Sequence, residues 1–468
     1  MQEKLRGENA KSQTRYAVTR SIALTTHVIS FFADDSARAS LENHRRYCER
    51  QGYTHEYVDA SAIGWPQLRM IMKYQVLLRT LRTCAEGDLV LLLTQDCLLK
   101  SDIRCETLIE DCESDWIAAQ DSDYVMASFQ LWRNTMMSRA LVTHLFGGAK
   151  LCYETPLSES DLLTLLKPEP FDRRYNGQLA VSPVALDTSM FWVDFPVLAL
   201  ALVDLPVAPR NYPICTKLRD LLAGHVNECQ AEGLPLFTWP RQNTSDPVAR
   251  YDAINSHAPI ALAMLYTPNV SEYGEIAEAN LRRYCARHGY ALHVYRDIPD
   301  QAGWDASGNW FKPWVLRHHL QQHQWVFWID ADVLVVDQKK PLEPLLQNVD
   351  RVLAADISWR FNSGVMGFRN TQENARLLEE VAQTVSDMSD KSTVYANGGD
   401  QDTFIKVMER HGKATDDELI DCTTLNTPFQ LQTRDSFMVH YMGMQPAFRA
   451  LAMRHGELLS RELDTSGV

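Results

Sequence analysis

The sequence predicts an α/β protein made of two tandem copies of one unit, each with a doubly wound, mostly parallel sheet. Three observations carry this. Strand-like and helix-like segments alternate along the chain. Stretches of the first half recur in the second at an almost constant offset. Short apolar runs end in polar residues, as in strands that are covered on both faces and present ligand-binding groups at their carboxyl ends.

Taken in order, residues 1–20 are polar and charged. They lack the apolar stretch of a secretory signal, so a cytoplasmic protein is expected. The first copy is read over 21–233. It has an apolar strand at Ile22-Ala23-Leu24, a helix through RRYCERQGY (45–53), a strand near Glu56-Tyr57-Val58, and the run LVLLLTQDCLL at 89–99. Residues 234–257 hold prolines and turn formers and read as the junction. The second copy is read over 258–468. Its strand Ile260-Ala261-Leu262 precedes RRYCARHGY (282–290), 237 residues beyond the first (282 − 45). Asn280–His288 reads as a helix ended by Gly289, Leu292-His293-Val294 as a strand, and Trp314–Gln322 as a helix. WVFWIDADVLV (325–335) then aligns with the run at 89, and FRNT (368–371) with WRNT (132–135), both offset by 236 (325 − 89, 368 − 132).

Composition narrows the function classes. Sixty acidic against 46 basic residues in 468 give a net charge of −14, which disfavours a nucleic-acid or anionic membrane surface as partner. No run approaches the ~20 apolar residues of a membrane span. The ten cysteines form no Cys-x-x-Cys pair and are expected as reduced thiols, not a zinc site.

The chemistry is expected at Asp330-Ala331-Asp332, which ends the apolar run 325–329. Two carboxylates so placed repel each other unless a divalent cation bridges them, although a solvated acidic turn would have the same sequence. The first copy has Thr94-Gln95-Asp96 there, with one acid lost. It has Met126-Ala127-Ser128 against Asn362-Ser363-Gly364, and Glu159-Ser160-Asp161 against Gly398-Gly399-Asp400-Gln401-Asp402. No counterpart of His440 is evident in it. The second copy is thus the candidate for chemistry, and the first a structural or acceptor-handling domain through which a second copy of the chain could also dock.

These residues carry a resemblance. RRYCARHGY, Trp310-Phe311-Lys312, WVFWIDADVLV, RFNSGVMGFRNT (360–371), GGDQDTF (398–404) and VHYMGM (439–444) resemble, in order, the GT-A-fold nucleotide-sugar glycosyltransferases, most of all the galactosyl/mannosyl/xylosyltransferase family. The resemblance implies two GT-A domains, the first degenerate, and transfer of a sugar from a UDP- or GDP-linked donor to an acceptor hydroxyl with retention. Asp330, Asp332 and His440 would bind Mn²⁺ or Mg²⁺. Asp330 would also meet the donor, as would Tyr266, Thr267, Arg283, Lys312, Ser363 and Gly364. Asn362, Asp400 and Gln401 would act at the sugar. The plain alternatives are a carbonyl-satisfied histidine for His440, a turn for Asn362–Gly364, a helix cap for Asp400 and a solvated face for Arg283. Competing functions are a non-catalytic nucleotide-sugar-binding scaffold, a bifunctional transferase using Asp96, and a nucleotidyltransferase. The last would need a glycine-rich loop after the first strand, and the sequence has none.

Overall fold

The computed structural model describes residues 24–110, 114–121, 124–152, 157–166, 181–184, 193–194, 196–202, 216–239, 249–303 and 305–465. The chain divides into two compact units, 1–183 with 196–201, and 184–195 with 202–468. The 1–20 extension lies outside the described residues, as do Ile22 and Ala23 of the expected first strand.

In the first unit the chain runs β1 (Thr26–Phe32), α1 (Arg38–Gln51), β2 (Thr54–Asp59), α2 (Pro66–Thr83), β3 (Leu89–Leu93), β4 (Cys97–Leu99), α3 (Cys105–Ile109), β5 (Trp116–Asp121), β6 (Tyr124–Arg133), α4 (Met136–Leu151), α5 (Glu159–Leu166), β7 (Val181–Val184) and β8 (Ala199–Leu202). The first strand therefore starts at Thr26, beyond the Ile22–Leu24 run. β1 is the parallel centre of the order β2-β1-β3-β6-β5. β6 returns antiparallel on both sides, because the short link from β5 leaves no length for a crossover. All five residues of β3 are buried, which is why it reads as an unbroken apolar run.

The second unit begins with α6 (Thr216–Glu232), a stretch that the sequence reading gave to the first copy and that packs on the last helix. There follow β9 (Tyr251–Ile254), β10 (Ile260–Leu265), α7 (Ser271–His288), β11 (Ala291–Tyr295), α8 (Lys312–Leu320), β12 (Trp325–Ile329), β13 (Val333–Val335), β14 (Arg351–Ala355), β15 (Phe361–Arg369), α9 (Gln372–Asp387), α10 (Gly399–Arg410), β16 (Leu419–Ile420), α11 (Cys422–Leu425), β17 (Thr427–Pro428), β18 (Met438–His440) and α12 (Pro446–Thr465). Its sheet contains the order β11-β10-β12-β15-β14, the strand order of the first unit. Parallel strands again form the centre, and the strands outside them are antiparallel apart from the short β16.

The repeated side chains do the same work in both units. The Asn43 side chain takes both backbone groups of Leu99, at 2.6 and 3.1 Å, and Asn280 takes those of Val335 at 2.8 and 3.1 Å. Tyr47 donates to the carbonyl of Ile103 at 2.7 Å, and Tyr284 to that of Lys340 at 2.8 Å. Tyr53 reaches Glu106, and Tyr290 reaches Glu343. The RRYC…GY motif is thus a buried clamp that fixes a helix to the segment after the central strand. α1 and α7 both end on a glycine in the left-handed region, Gly52 (φ 71°) and Gly289 (φ 72°).

Candidate active site

β12 is buried over its whole length and delivers Asp330 and Asp332 at its carboxyl end. The Asp330 amide donates to the carbonyl of Gly364 at 2.8 Å, which ties the diacid to β15. β13 pairs with β18 in a register that sets Val333 opposite His440. His440 Nε2 then lies 3.1 Å from Asp332 Oδ1. One ligand atom each of Asp330, Asp332 and His440 fall within 4.8 Å of one another. His440 Nδ1 is buried without a hydrogen-bond partner. Two carboxylates and an imidazole with an uncommitted nitrogen suit a hard or borderline divalent cation.

Gly364 makes room for this arrangement. A Cβ on it would lie 2.3 Å from His440 Cε1 and 2.7 Å from Nδ1. The glycine is required by the histidine ring.

Lys312 is the fixed cation of the site. Its side chain is 4% exposed, with Nζ 2.9 Å from Asp330 Oδ1, 2.9 Å from Asp400 Oδ2 and 3.1 Å from Ser363 Oγ. Burial alone would lower its pKa, but Asp330 and Asp400 outweigh that and raise it. Asp400 is not a helix cap. Gly398 holds the cap position of α10, whereas Asp400 accepts from Ser363 Oγ at 2.9 Å and from Asn309 Nδ2 at 2.8 Å. Gln401 Oε1 accepts from the Ser363 amide at 3.0 Å. Asn362 donates to Asp356 Oδ2 at 2.6 Å and accepts from the Gly364 amide at 2.8 Å.

The two acids titrate apart. Burial pushes the Asp330 carboxyl up, and Lys312 only partly offsets it. Burial would raise Asp332 too, but Arg449 and His440 hold it well below the usual carboxylate range.

The structure thus brings together Asp330, Asp332, His440, Lys312, Asn362, Ser363, Gly364, Asp400 and Gln401. Arg283 is not among them. Its guanidinium is bound to Glu457, Ser460 and Asp464 on α12, so the expectation of a donor contact gives way to a helix–helix tie. Tyr266 is buried, its ring over Gly274 and its hydroxyl donating to Glu278 Oε2 at 2.7 Å. Thr267, half-buried at the end of β10, bonds the side chain of Asn269.

Sequence reasoning missed Arg449, whose Nη1 is 3.3 Å from Asp332 Oδ2 and 3.1 Å from the Tyr273 hydroxyl. No local motif marks it, because its role depends on α12 packing beside β13. It also missed Asp356 and Asn309. An acid one residue past β14 was a readable signal by the same strand-end rule.

Among the described residues the first unit lacks this constellation. Cys97 takes the register of Val333, and its partner across β4–β8 is Ala201. The register therefore gives His440 a counterpart, Ala201, that sequence comparison did not find. Thr94 stands at Asp330, and Gln95 accepts from the Ala33 amide at 3.0 Å.

A second histidine cluster, His293, His319 and His323, is buried in the second unit. A continuous neutral chain accounts for two of its members. The Tyr251 hydroxyl lies 2.8 Å from His293 Nδ1, His293 Nε2 is 2.9 Å from His323 Nε2, and His323 Nδ1 is 2.7 Å from the Ala258 carbonyl. One proton per ring satisfies every link. His319 stacks on His293 at 3.8 Å and meets the Tyr295 hydroxyl at 2.8 Å. Burial pushes His293 down to about 4 and His319 to about 2.

Residues 263–359, the stretch holding the diacid, match the model of the galactosyl transferase GMA12/MNN10 family. The protein is an enzyme of the glycosyltransferase class, as the motifs predict. Among curated proteins no match is found. Solved structures with likeness to the chain include a glycosyltransferase involved in glycosylation of the major capsid of PBCV-1. It is 19% identical over 42% of this chain and 98% of that one, with TM-score 0.36. The galactosyltransferase LgtC, bound to donor and acceptor sugar analogs, is 13% identical over 44% and 96%, with TM-score 0.32. Mouse xyloside xylosyltransferase 1 is 12% identical over 39% and 97%, with TM-score 0.28. At these scores the likeness carries nothing about substrate or mechanism. No helix among the described residues is long and apolar enough to cross a membrane.

Proposed function

We propose that the second unit transfers a sugar from a UDP- or GDP-linked donor to an acceptor hydroxyl with retention, using Mn²⁺ or Mg²⁺ held by Asp330, Asp332 and His440. One observation carries the reading: three ligand atoms within 4.8 Å at a strand end, with an unpartnered His440 nitrogen and a buried lysine beside them. A cation bound there supplies Lewis-acid neutralisation of a leaving diphosphate. Lys312 holds Asp330 and Asp400 in place, so the acidic wall is set before any ligand arrives. Ser363 is fixed by Asp400 and Gln401, which turns the Asn362–Gly364 strand segment toward the same end. Asp400, gripped by Lys312, Ser363 and Asn309, is suited to stabilise positive charge on the sugar more than to attack it. Arg449 and Tyr273 orient Asp332 from the other side. The first unit, with Thr94 and Ala201 at the matching places, is read as non-catalytic.

The test is nucleoside diphosphate release from a panel of UDP- and GDP-sugars with Mn²⁺. Release that is lost in Asp330→Ala supports the reading. No release from any donor, with Asp330→Ala indistinguishable from the parent, would sink it.

A further inference from the structure

We infer that His27, Cys84 and Asp88 of the first unit form a second metal site, suited to a borderline divalent cation such as Zn²⁺ and independent of the glycosyl-transfer reading above. One ligand atom of each lies within 4.8 Å of those of the other two. The three come from different elements. His27 is the second residue of β1, Cys84 caps the end of α2, and Asp88 immediately precedes β3. They meet at the amino-terminal edge of the sheet, where β1 and β3 run side by side. A site assembled this way around a single cysteine carries no Cys-x-x-Cys signature, so the sequence pattern passes over it.

Each ligand is held by groups that leave a binding atom available. His27 Nδ1 lies 2.8 Å from Thr54 Oγ1. A proton on Nδ1, donated to that hydroxyl, leaves Nε2 with a lone pair, which is how a metal-bound imidazole is supported. Nε2 is shielded from solvent and has no hydrogen-bond partner. It stands 3.6 Å from Asp88 Oδ2, too far for a hydrogen bond. Two nitrogen or oxygen ligands of a tetrahedral zinc ion stand about 3.4 Å apart. Asp88 accepts the Thr25 amide on Oδ1 at 3.0 Å and the Ala85 amide on Oδ2 at 2.9 Å. These bonds fix the carboxylate and leave each oxygen a lone pair. Asn134 Nδ2 donates to the carbonyls of Cys84, at 3.1 Å, and Ala85, at 2.8 Å, so the turn that carries the thiol is anchored as well.

A thiolate, an imidazole and a carboxylate favour Zn²⁺ over the harder Mg²⁺ and Mn²⁺. Three protein ligands leave a fourth position for water. The fold does not require the trio, because the second unit builds the same edge without it. Ile260 faces Trp325 there as Thr26 faces Leu89, which puts Ala261 at the place of His27. Gln321 caps α8 and Gln324 precedes β12, at the places of Cys84 and Asp88. A bare ion pair between His27 and Asp88 would give the cysteine no part. A bound cation joins strand, helix end and turn, and stabilises the first unit by mass action.

The test is titration of the full chain with Co²⁺, followed by thiolate-to-metal charge-transfer absorption. Asp330, Asp332 and His440 offer no sulfur, so Co²⁺ bound by them gives no such band. The parent should develop the band with about one equivalent of Co²⁺ and lose it when Zn²⁺ is added. Cys84→Ser should abolish the band, and His27→Gln should weaken Co²⁺ binding at least about tenfold. No band in the parent, a band that survives in Cys84→Ser, or unchanged affinity in His27→Gln would overturn the site.

Discussion

Both units bury a lysine at the same place in the fold, and the groups around it differ at two points, Asp330 and the Ser363 hydroxyl, which only the second unit offers. In the first unit Lys73 Nζ meets the Ala127 carbonyl at 2.8 Å and Glu159 Oε1 at 2.9 Å. In the second, Lys312 meets the Ser363 carbonyl at 3.4 Å and Asp400 at 2.9 Å, and in addition Asp330 at 2.9 Å. The lysine–acid pair is thus common scaffolding, and a buried ammonium needs such a partner wherever it sits. Asp330, Asp332 and His440 are what the second unit has beyond that scaffold. The comparison separates residues that hold the fold from residues that equip it for chemistry, which neither unit alone would do.

The largest expected difference is catalytic. Asp330→Ala or Asp332→Ala should lower nucleoside diphosphate release by on the order of a thousandfold. Asp96→Ala, at the matching position, should leave it within about twofold in the same assay, as for a substitution away from the reacting atoms. A comparable loss in Asp96→Ala would erase the asymmetry and favour a second transferase site.

The next difference is in stability. Lys312→Met leaves two acids, the buried Asp400 and the half-buried Asp330, without their counter-charge, at a cost of about 3–5 kcal/mol. Lys73→Met releases a single half-buried acid, Glu159, and should cost less. Urea denaturation followed by tryptophan fluorescence should place Lys312→Met clearly below Lys73→Met. The reverse order would mean that the two lysines are not equivalent scaffolding.

Gly364→Ala drives a Cβ into the His440 ring and should weaken Mn²⁺ binding by about 10–100-fold, read by calorimetric titration. Ser128→Gly, the mirror change in the first unit, should leave the Mn²⁺ titration unaltered.

The smallest difference is in acid sensitivity. Burial holds His293 at about 4 in the second unit and His44 at about 4 in the first. The unfolded chain takes up protons near pH 6.5 that the folded chain refuses, so stability is full above that value and falls as pH drops toward 4. Each histidine should cost about 2 kcal/mol by pH 5. His293→Gln should flatten the profile of Tm against pH between 6.5 and 4, and His44→Gln should do so to a similar extent.

Much of this was legible in the chain. The offset of 236–237 residues predicts two units with one strand order, and the apolar run 325–329 predicts a buried strand with acids at its end. Strand-end motifs are readable because a parallel sheet collects carboxyl ends on one side. Arg283 misled because a helix presents basic residues to many neighbours, and spacing does not tell which one answers; here it is Glu457. Arg449 and the correspondence of His440 to Ala201 were invisible for a different reason. Both follow from pairings with segments distant in sequence, β13 with α12 and β4 with β8.

The contact between Gly364 and His440 also bears on reversibility. The first unit carries Ser128 where the second has Gly364, and Ala201 where it has His440. Losing the histidine frees the glycine to take a side chain, which then occupies the space the ring would need. Regaining the imidazole thereafter takes two changes, each useless without the other. The packing that makes the site compact makes its loss a ratchet.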